Sequence, residues 1–231
     1  MILITRPIDK ASKLESKLSK CGYKCHIESL SKIKIKDRNF SFKSNYVYLI
    51  SSPRTVNYFI KNKLQNLDVK LIVIGLSSKN KLKQAGFKNL IYGAQDGSDM
   101  IKFLKKSNIK QIYHVTGTIR NRSLLNEISK IGITLKNVIL YETIFRKTLS
   151  KKCVSLIKSK KIRQVLIYSS ANAEHFIYIM NKANIQKESK SLTFFCLSKK
   201  IATFMIKKGF LAKHSALPTE NELIKLLTNN C

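Results

Sequence analysis

Acidic side chains are scarce in this chain: 13 Asp and Glu stand against 44 Lys and Arg in 231 residues, a formal net charge of +31. Such an excess ordinarily points to nucleic acid or an anionic membrane surface. Arginine is scarce too, at 7 of the 44 basic residues, and neither it nor the aromatic residues cluster as they do in nucleic-acid readers. The lysines are dispersed among Ile, Asn and Ser, so the charge reads as a chain-wide compositional bias whose field would still draw in a polyanion. No run approaches the roughly 18 apolar residues of a membrane span, and Met1 to Pro7 enters a strand without a signal-peptide layout. Cys21, Cys25, Cys153, Cys196 and Cys231 are scattered and include no C-x-x-C pair, which argues against a disulfide framework or a zinc site. A soluble, cytoplasmic protein is expected. There is also no Walker A motif, no G-x-G-x-x-G and no G-x-S-x-G elbow, which removes the usual nucleotide and serine-hydrolase signatures. His26, His114, His175 and His214 are spread apart, and each reads as a strand or helix residue.

What is present is organised around Tyr46 to Phe59. Five apolar residues suggest a buried strand, Ser51, Ser52 and Pro53 break it, and an amphipathic helix follows. The turn sets two hydroxyls and free backbone N–H groups at a helix N-terminus, where the peptide dipoles favour an anion such as a carboxylate or phosphate. The pattern returns at Val165 to Phe176. With 44% hydrophobic residues the chain can bury one large core or two small ones. Extended segments are expected at Ile2–Ile4, within 25–35, at Lys70–Ile74, Leu90–Tyr92, Gln111–Val115, Val138–Tyr141, Val165–Tyr168 and Thr193–Leu197. Helical segments fall between most of them, closing at glycines such as Gly22, Gly132 and Gly209. This alternation predicts parallel sheets covered by helices on both faces. Segments 37–44 and 142–148 lose period and gain charge, and read as linkers.

The two halves of the chain echo each other. Gly22 and Gly132 lie 110 residues apart, Ser52 and Ser170 118, Gly86 and Gly209 123, and Leu104 and Leu227 also 123. Slowly growing offsets are what a duplication with small loop insertions produces. Ala-Gly-Phe at 85–87 answers Lys-Gly-Phe at 208–210, and Asp-Met-Ile-Lys-Phe-Leu at 99–104 answers Glu-Leu-Ile-Lys-Leu-Leu at 222–227.

Open α/β sheets bind ligands at the carboxyl ends of their strands. Here those ends carry Thr5 and Arg6, Ser51 and Ser52, Gly75 with Ser78, Thr116 and Gly117, Ser170, Ser198 and Lys199, and Pro218 and Thr219. Ser and Thr at any one such position also serve as plain helix caps; seven ends facing a shared cleft are harder to explain that way. Tyr141 ends a strand beside the second linker. A tyrosine hydroxyl there can donate a proton or a strong hydrogen bond to a departing oxygen, or simply pack at a hinge.

Several words in order resemble one family: Ile-Leu-Ile-Thr-Arg-Pro at 2–7, Ser-Ser-Pro-Arg-Thr-Val at 51–56, Val-Ile-Gly at 73–75, Ala-Gly-Phe at 85–87, Tyr-Glu-Thr at 141–143, Tyr-Ser-Ser-Ala-Asn-Ala at 168–173 and Ala-Leu-Pro-Thr at 216–219. The chain is similar to uroporphyrinogen-III synthases over nearly its whole length. The resemblance implies an α/β fold of two flavodoxin-like domains with a cleft between them: residues 1–36 plus 149–231 in one, 45–141 in the other, joined by the two linker segments. It implies that hydroxymethylbilane loses its hydroxyl, ring D inverts through a spiro intermediate, and the macrocycle closes as uroporphyrinogen III, with no cofactor, no metal and no nucleic-acid or membrane partner, in a monomer. By position Tyr141 matches the tyrosine thought to assist hydroxyl departure, Ser51 and Ser52 a Thr-Ser after the strand, Ser170 the equivalent serine of the second half, and Ser78 a threonine after the glycine. Ala171 stands where proline is frequent, and Ser198-Lys199 where a small residue precedes Thr or Ser, so only backbone donation carries over there. The competing expectation is a non-catalytic two-domain protein that binds anions or nucleic acid.

Overall fold

Ile2, Leu3 and Ile4 are wholly buried but face opposite ways: Ile2 and Ile4 join one hydrophobic cluster, Leu3 another. A strand whose residues are apolar without alternation needs cover on both faces, and the helices supply it. A computed structural model describes residues 1–36 and 40–228; positions 37–39 of the first expected linker, and Cys231, lie outside the described residues. The chain divides into two compact units, residues 1–33 with 144–231, and residues 34–143.

Unit 1 contains β1 (Ile2–Ile4), α1 (Ile8–Lys20) and β2 (Cys25–Ile27). The strand β3 (Ser31–Ile35) then leads into unit 2, with β4 (Val47–Ile50), α2 (Pro53–Lys61), β5 (Lys70–Ile74), α3 (Leu76–Gln84), β6 (Leu90–Ala94), α4 (Gly97–Lys105), β7 (Gln111–Gly117), α5 (Arg122–Lys130) and β8 (Thr134–Phe145). The chain returns to unit 1 for α6 (Lys151–Lys158), β9 (Gln164–Ile167), α7 (Ser170–Lys182), α8 (Gln186–Ser189), β10 (Thr193–Cys196), α9 (Lys199–Lys207), β11 (Leu211–His214) and α10 (Glu220–Thr228).

The sheet of unit 1 runs β2-β1-β9-β10-β11, all parallel. That is the flavodoxin order, with the switch point between β1 and β9. In unit 2 the order is β3-β8-β7-β4-β5-β6, and the five strands from β8 to β6 are parallel. Setting β7 against β1, β8 against β2, and β4, β5 and β6 against β9, β10 and β11 makes the two orders identical, the switch point now lying between β7 and β4. The duplication is therefore in the topology as well as in the sequence, but each unit is assembled from parts of both halves. Packing follows the same correspondence: α1 and α10 cover one face of the first sheet, and α5 and α4 the matching face of the second. Gly22 and Gly132, ending α1 and α5, adopt nearly equal positive φ of 78° and 79°, a left-handed stop open to glycine without strain.

Some boundaries differ from the sequence reading. The single extended segment within 25–35 is two strands in different sheets, interrupted at Glu28, whose carboxylate accepts from the backbone N–H and hydroxyl of Ser150. Residues 142–145, expected in a linker, continue β8. Helix α6 carries little helical signal in the sequence, because its three lysines outnumber its buried pair, Cys153 and Ile157. Phe42, inside the expected first linker, instead packs on Tyr48 and Phe59 at centroid distances of 5.2 and 4.9 Å. Among the described residues no helix is long and apolar enough to cross a membrane.

Candidate active site

Because five strands of each sheet are parallel, their carboxyl ends share one edge, and helix N-termini open there. In unit 2 this edge gathers the ends of β4, β5, β7 and β8. Ser52 is the N-cap of α2, accepting from the Arg54 N–H at 3.2 Å, and Pro53 takes the first helical position, where no N–H is needed. The Ser52 Oγ also lies 3.0 Å from the Tyr141 hydroxyl. Ser51 Oγ lies 2.8 Å from Nε2 of His114 on β7. Tyr141 is 7% exposed, its ring against Gly117 and the Arg54 guanidinium 6.0 Å from its centroid. The chain thus brings Ser51, Ser52, Gly117 and Tyr141 together, with His114, read from sequence only as a strand residue, completing the group. Gly75 caps α3 at φ 95°, a conformation that favours glycine, and Ser78 lies buried one turn on. Thr116 is buried.

His114 is 2% exposed and its pKa is pushed down from the ordinary 6.5 to about 4, chiefly by burial, with Arg120 adding to the shift and Asn137 opposing it. The ring is neutral at physiological pH. Positive potential at this edge comes from Arg54 and Arg120 and from the helix ends: neither α2 nor α3 carries an acidic residue in its first turn, so their N-terminal dipoles are uncompensated by their own side chains.

In unit 1 the matching edge holds the ends of β1, β9, β10 and β11. Thr5 is wholly buried and its hydroxyl donates to the Leu166 carbonyl at 2.6 Å, so that hydrogen is already committed. Arg6 stacks over Tyr168, 4.3 Å from the ring centroid, and pairs with Glu220 at the start of α10. Tyr168 has a buried hydroxyl without a partner in hydrogen-bond geometry; burial, its largest influence, raises its pKa. Ser169 rather than Ser170 caps α7, accepting from the Asn172 N–H at 3.2 Å. Ser170 and Ala171 occupy the first turn, half-buried, while Ser198 and exposed Lys199 open α9. Thr219 accepts from the Glu222 N–H at 3.3 Å, and with Pro218 it stands exposed beside Glu220. That carboxylate already neutralises the start of α10, whereas α7 and α9 have no acid in their first turns.

Elsewhere in unit 1, donor atoms of His26, Glu28 and Cys153 lie within 4.8 Å of one another. Both Glu28 oxygens are engaged, however, by Ser150 and by an ion pair with Arg146, and burial pushes the Cys153 thiol up to about 12. The trio fits a structural cap on α6 better than a metal centre.

The model of one family, uroporphyrinogen-III synthase HemD, matches residues 12–225. The chain belongs to the uroporphyrinogen-III synthase family. That family consists of cyclising lyases of haem biosynthesis, and the two helix-covered parallel sheets are its fold. The chain is similar to the uroporphyrinogen-III synthetase of Helicobacter pylori 26695, with 14% identity, a TM-score of 0.63 and 99% and 98% of the two chains covered. It is also similar to a mutant uroporphyrinogen III synthase of the extremely thermophilic bacterium Thermus thermophilus, at 9% identity and a TM-score of 0.65 over 99% and 96%. No curated protein matches it by sequence. At such identities the synthase structures report fold, and the residues of this chain must carry the chemistry.

Proposed function

We propose that this protein cyclises hydroxymethylbilane to uroporphyrinogen III, inverting ring D and releasing water, as a cofactor-independent cytoplasmic monomer. The observation that carries the site reading is the Ser52–Tyr141 hydrogen bond of 3.0 Å, which joins an uncompensated helix N-terminus to a buried tyrosine hydroxyl. A substrate carboxylate binds at the α2 N-terminus through Ser51, Ser52 and free backbone N–H groups; one such terminus contributes about 0.3–1 kcal/mol, up to about 2 when partly buried. Several seats acting on one polycarboxylate hold it without a strong nucleophile. Thr116, Gly75 and Ser78 in unit 2, and Thr5, Arg6, Ser170, Ala171, Ser198, Lys199, Pro218 and Thr219 in unit 1, belong to the same reading, with backbone donation the contribution at Ser198 and Lys199.

Tyr141 is the group assigned to the bond-breaking step. Its hydroxyl gives its proton to the hydroxymethyl oxygen as the carbon–oxygen bond breaks, so that the oxygen leaves as water, the electron pair of the pyrrole nitrogen fills the deficit on carbon, and the tyrosine recovers a proton when ring closure releases one. The test is purified protein with freshly made hydroxymethylbilane and isomer-resolved products. Formation of the type III isomer supports the reading; the type I isomer alone, the product of unassisted closure, rejects it.

A further inference from the structure

His114 and Ser51 meet because β4 and β7 are neighbours at the switch point of their sheet, in a register that pairs Leu49 with His114. The contact is 2.8 Å, and the imidazole behind it is 2% exposed. Its other nitrogen, Nδ1, is buried with no partner in hydrogen-bond geometry; the Asn137 side chain opposite it on β8 interacts with the ring and raises its pKa, but is not aligned to take a proton from Nδ1. A buried N–H without an acceptor is rarer and more costly than a bare lone pair. The ring proton therefore sits on the nitrogen that has a partner.

We propose that His114 is a positioning residue: its Nε2–H donates to Ser51 Oγ and leaves the Ser51 hydroxyl hydrogen free to donate to a substrate carboxylate. The reverse arrangement, with Ser51 donating to Nε2, would turn only oxygen lone pairs toward an anion and repel it. A hydroxyl alone is indifferent between these roles because its hydrogen rotates; a fixed donor behind it decides the polarity. His114 does this as a neutral ring, whose proton is not lost to the substrate as a cation's would be. The inference rests on the reading of Ser51 as a substrate-holding hydroxyl.

The tautomer is read directly by two-bond ¹H–¹⁵N correlation NMR of the histidine rings. A proton on Nε2 is expected, and a proton on Nδ1 overturns the proposal. Kinetics then test its consequence. Ser51→Ala and His114→Leu should each raise KM about five- to tenfold with little change in kcat, the loss expected of one hydrogen bond, and the double variant should be no worse than either. His114→Gln, which carries an amide N–H out to the Nε2 position, should hold KM near wild type, whereas the shorter His114→Asn should not. These two variants carry the comparison if the leucine variant does not fold. Unchanged KM in folded His114→Leu or His114→Asn beside a raised KM in Ser51→Ala, or multiplying effects in the double variant, overturns the positioning role. Unchanged KM in Ser51→Ala rejects the reading of Ser51 itself, and with it the role of His114.

Discussion

The ring of Tyr141 rests on the bare Cα of Gly117. The two residues are register partners across β7 and β8, just past an irregularity at Thr116 and Gly117, and a Cβ added at Gly117 would overlap Cε2 and come within 2.7 Å of Cδ2 and Cζ. The position is closed to any side chain, however small.

Gly117→Ala should therefore displace the tyrosine ring and cost about 1–3 kcal/mol through overpacking. Turnover should fall further than stability alone requires, because a misplacement of about 1 Å can cost about a hundredfold in rate. Urea unfolding alongside the cyclisation assay checks both effects, and full turnover in a destabilised variant would separate the glycine from the chemistry.

Tyr141→Phe keeps the ring and removes only the hydroxyl that meets Ser52. Loss of a general acid costs about 10²- to 10⁴-fold, so kcat should fall in that range while product affinity changes little. Turnover equal to wild type would remove Tyr141 from the reaction.

Acid should weaken the protein partly through His114. Its folded pKa of about 4 lies below the ordinary 6.5, so between these values the unfolded chain binds more protons. The stabilisation is complete above about pH 6.5 and is lost as pH falls toward 4, on the order of 3 kcal/mol in all. Urea midpoints followed from pH 7 to pH 4 should fall more steeply for wild type than for His114→Gln; parallel curves would contradict the assignment.

Glu28 is 3% exposed, paired with Arg146, and accepts two hydrogen bonds of 2.8 Å from Ser150 at the start of α6. Glu28→Ala leaves the two Ser150 donors without their acceptor, while the partly exposed Arg146 keeps its bonds to the Thr148 and Ser29 carbonyls, and should cost about 1–3 kcal/mol. Denaturant unfolding is the check. A loss under about 1 kcal/mol would show the ion pair to be no stronger than an exposed one.

Much of the fold was legible because it depends on local chemistry. The apolar runs of β1, β4, β5 and β9, the serine caps of α2 and the glycine stops of α1 and α5 are properties of short stretches. Even the duplication was visible as matched offsets. Less legible were elements whose local signal is weak: α6, with two buried residues among lysines, and β11, whose residues are mostly exposed. The break between β2 and β3 was hidden for another reason. The chain changes sheets there, and a contact that pins the crossing, Glu28 with Ser150, spans 122 positions.

The candidate site divides the same way. Sequence by itself determined that hydroxyl residues stand at strand ends before helices, that no nucleotide or serine-hydrolase motif competes with them, and that the chain resembles one family. Only the tertiary structure decided which of these residues touch. Ser52 and Tyr141 are 89 positions apart, and Ser51 and His114 are 63. They meet because β4 takes its place between β5 and β7, a choice made by the burial of whole strand faces. Strand order is a property of the assembled sheet, so a histidine that looks unremarkable along the chain becomes the partner of a serine at the switch point.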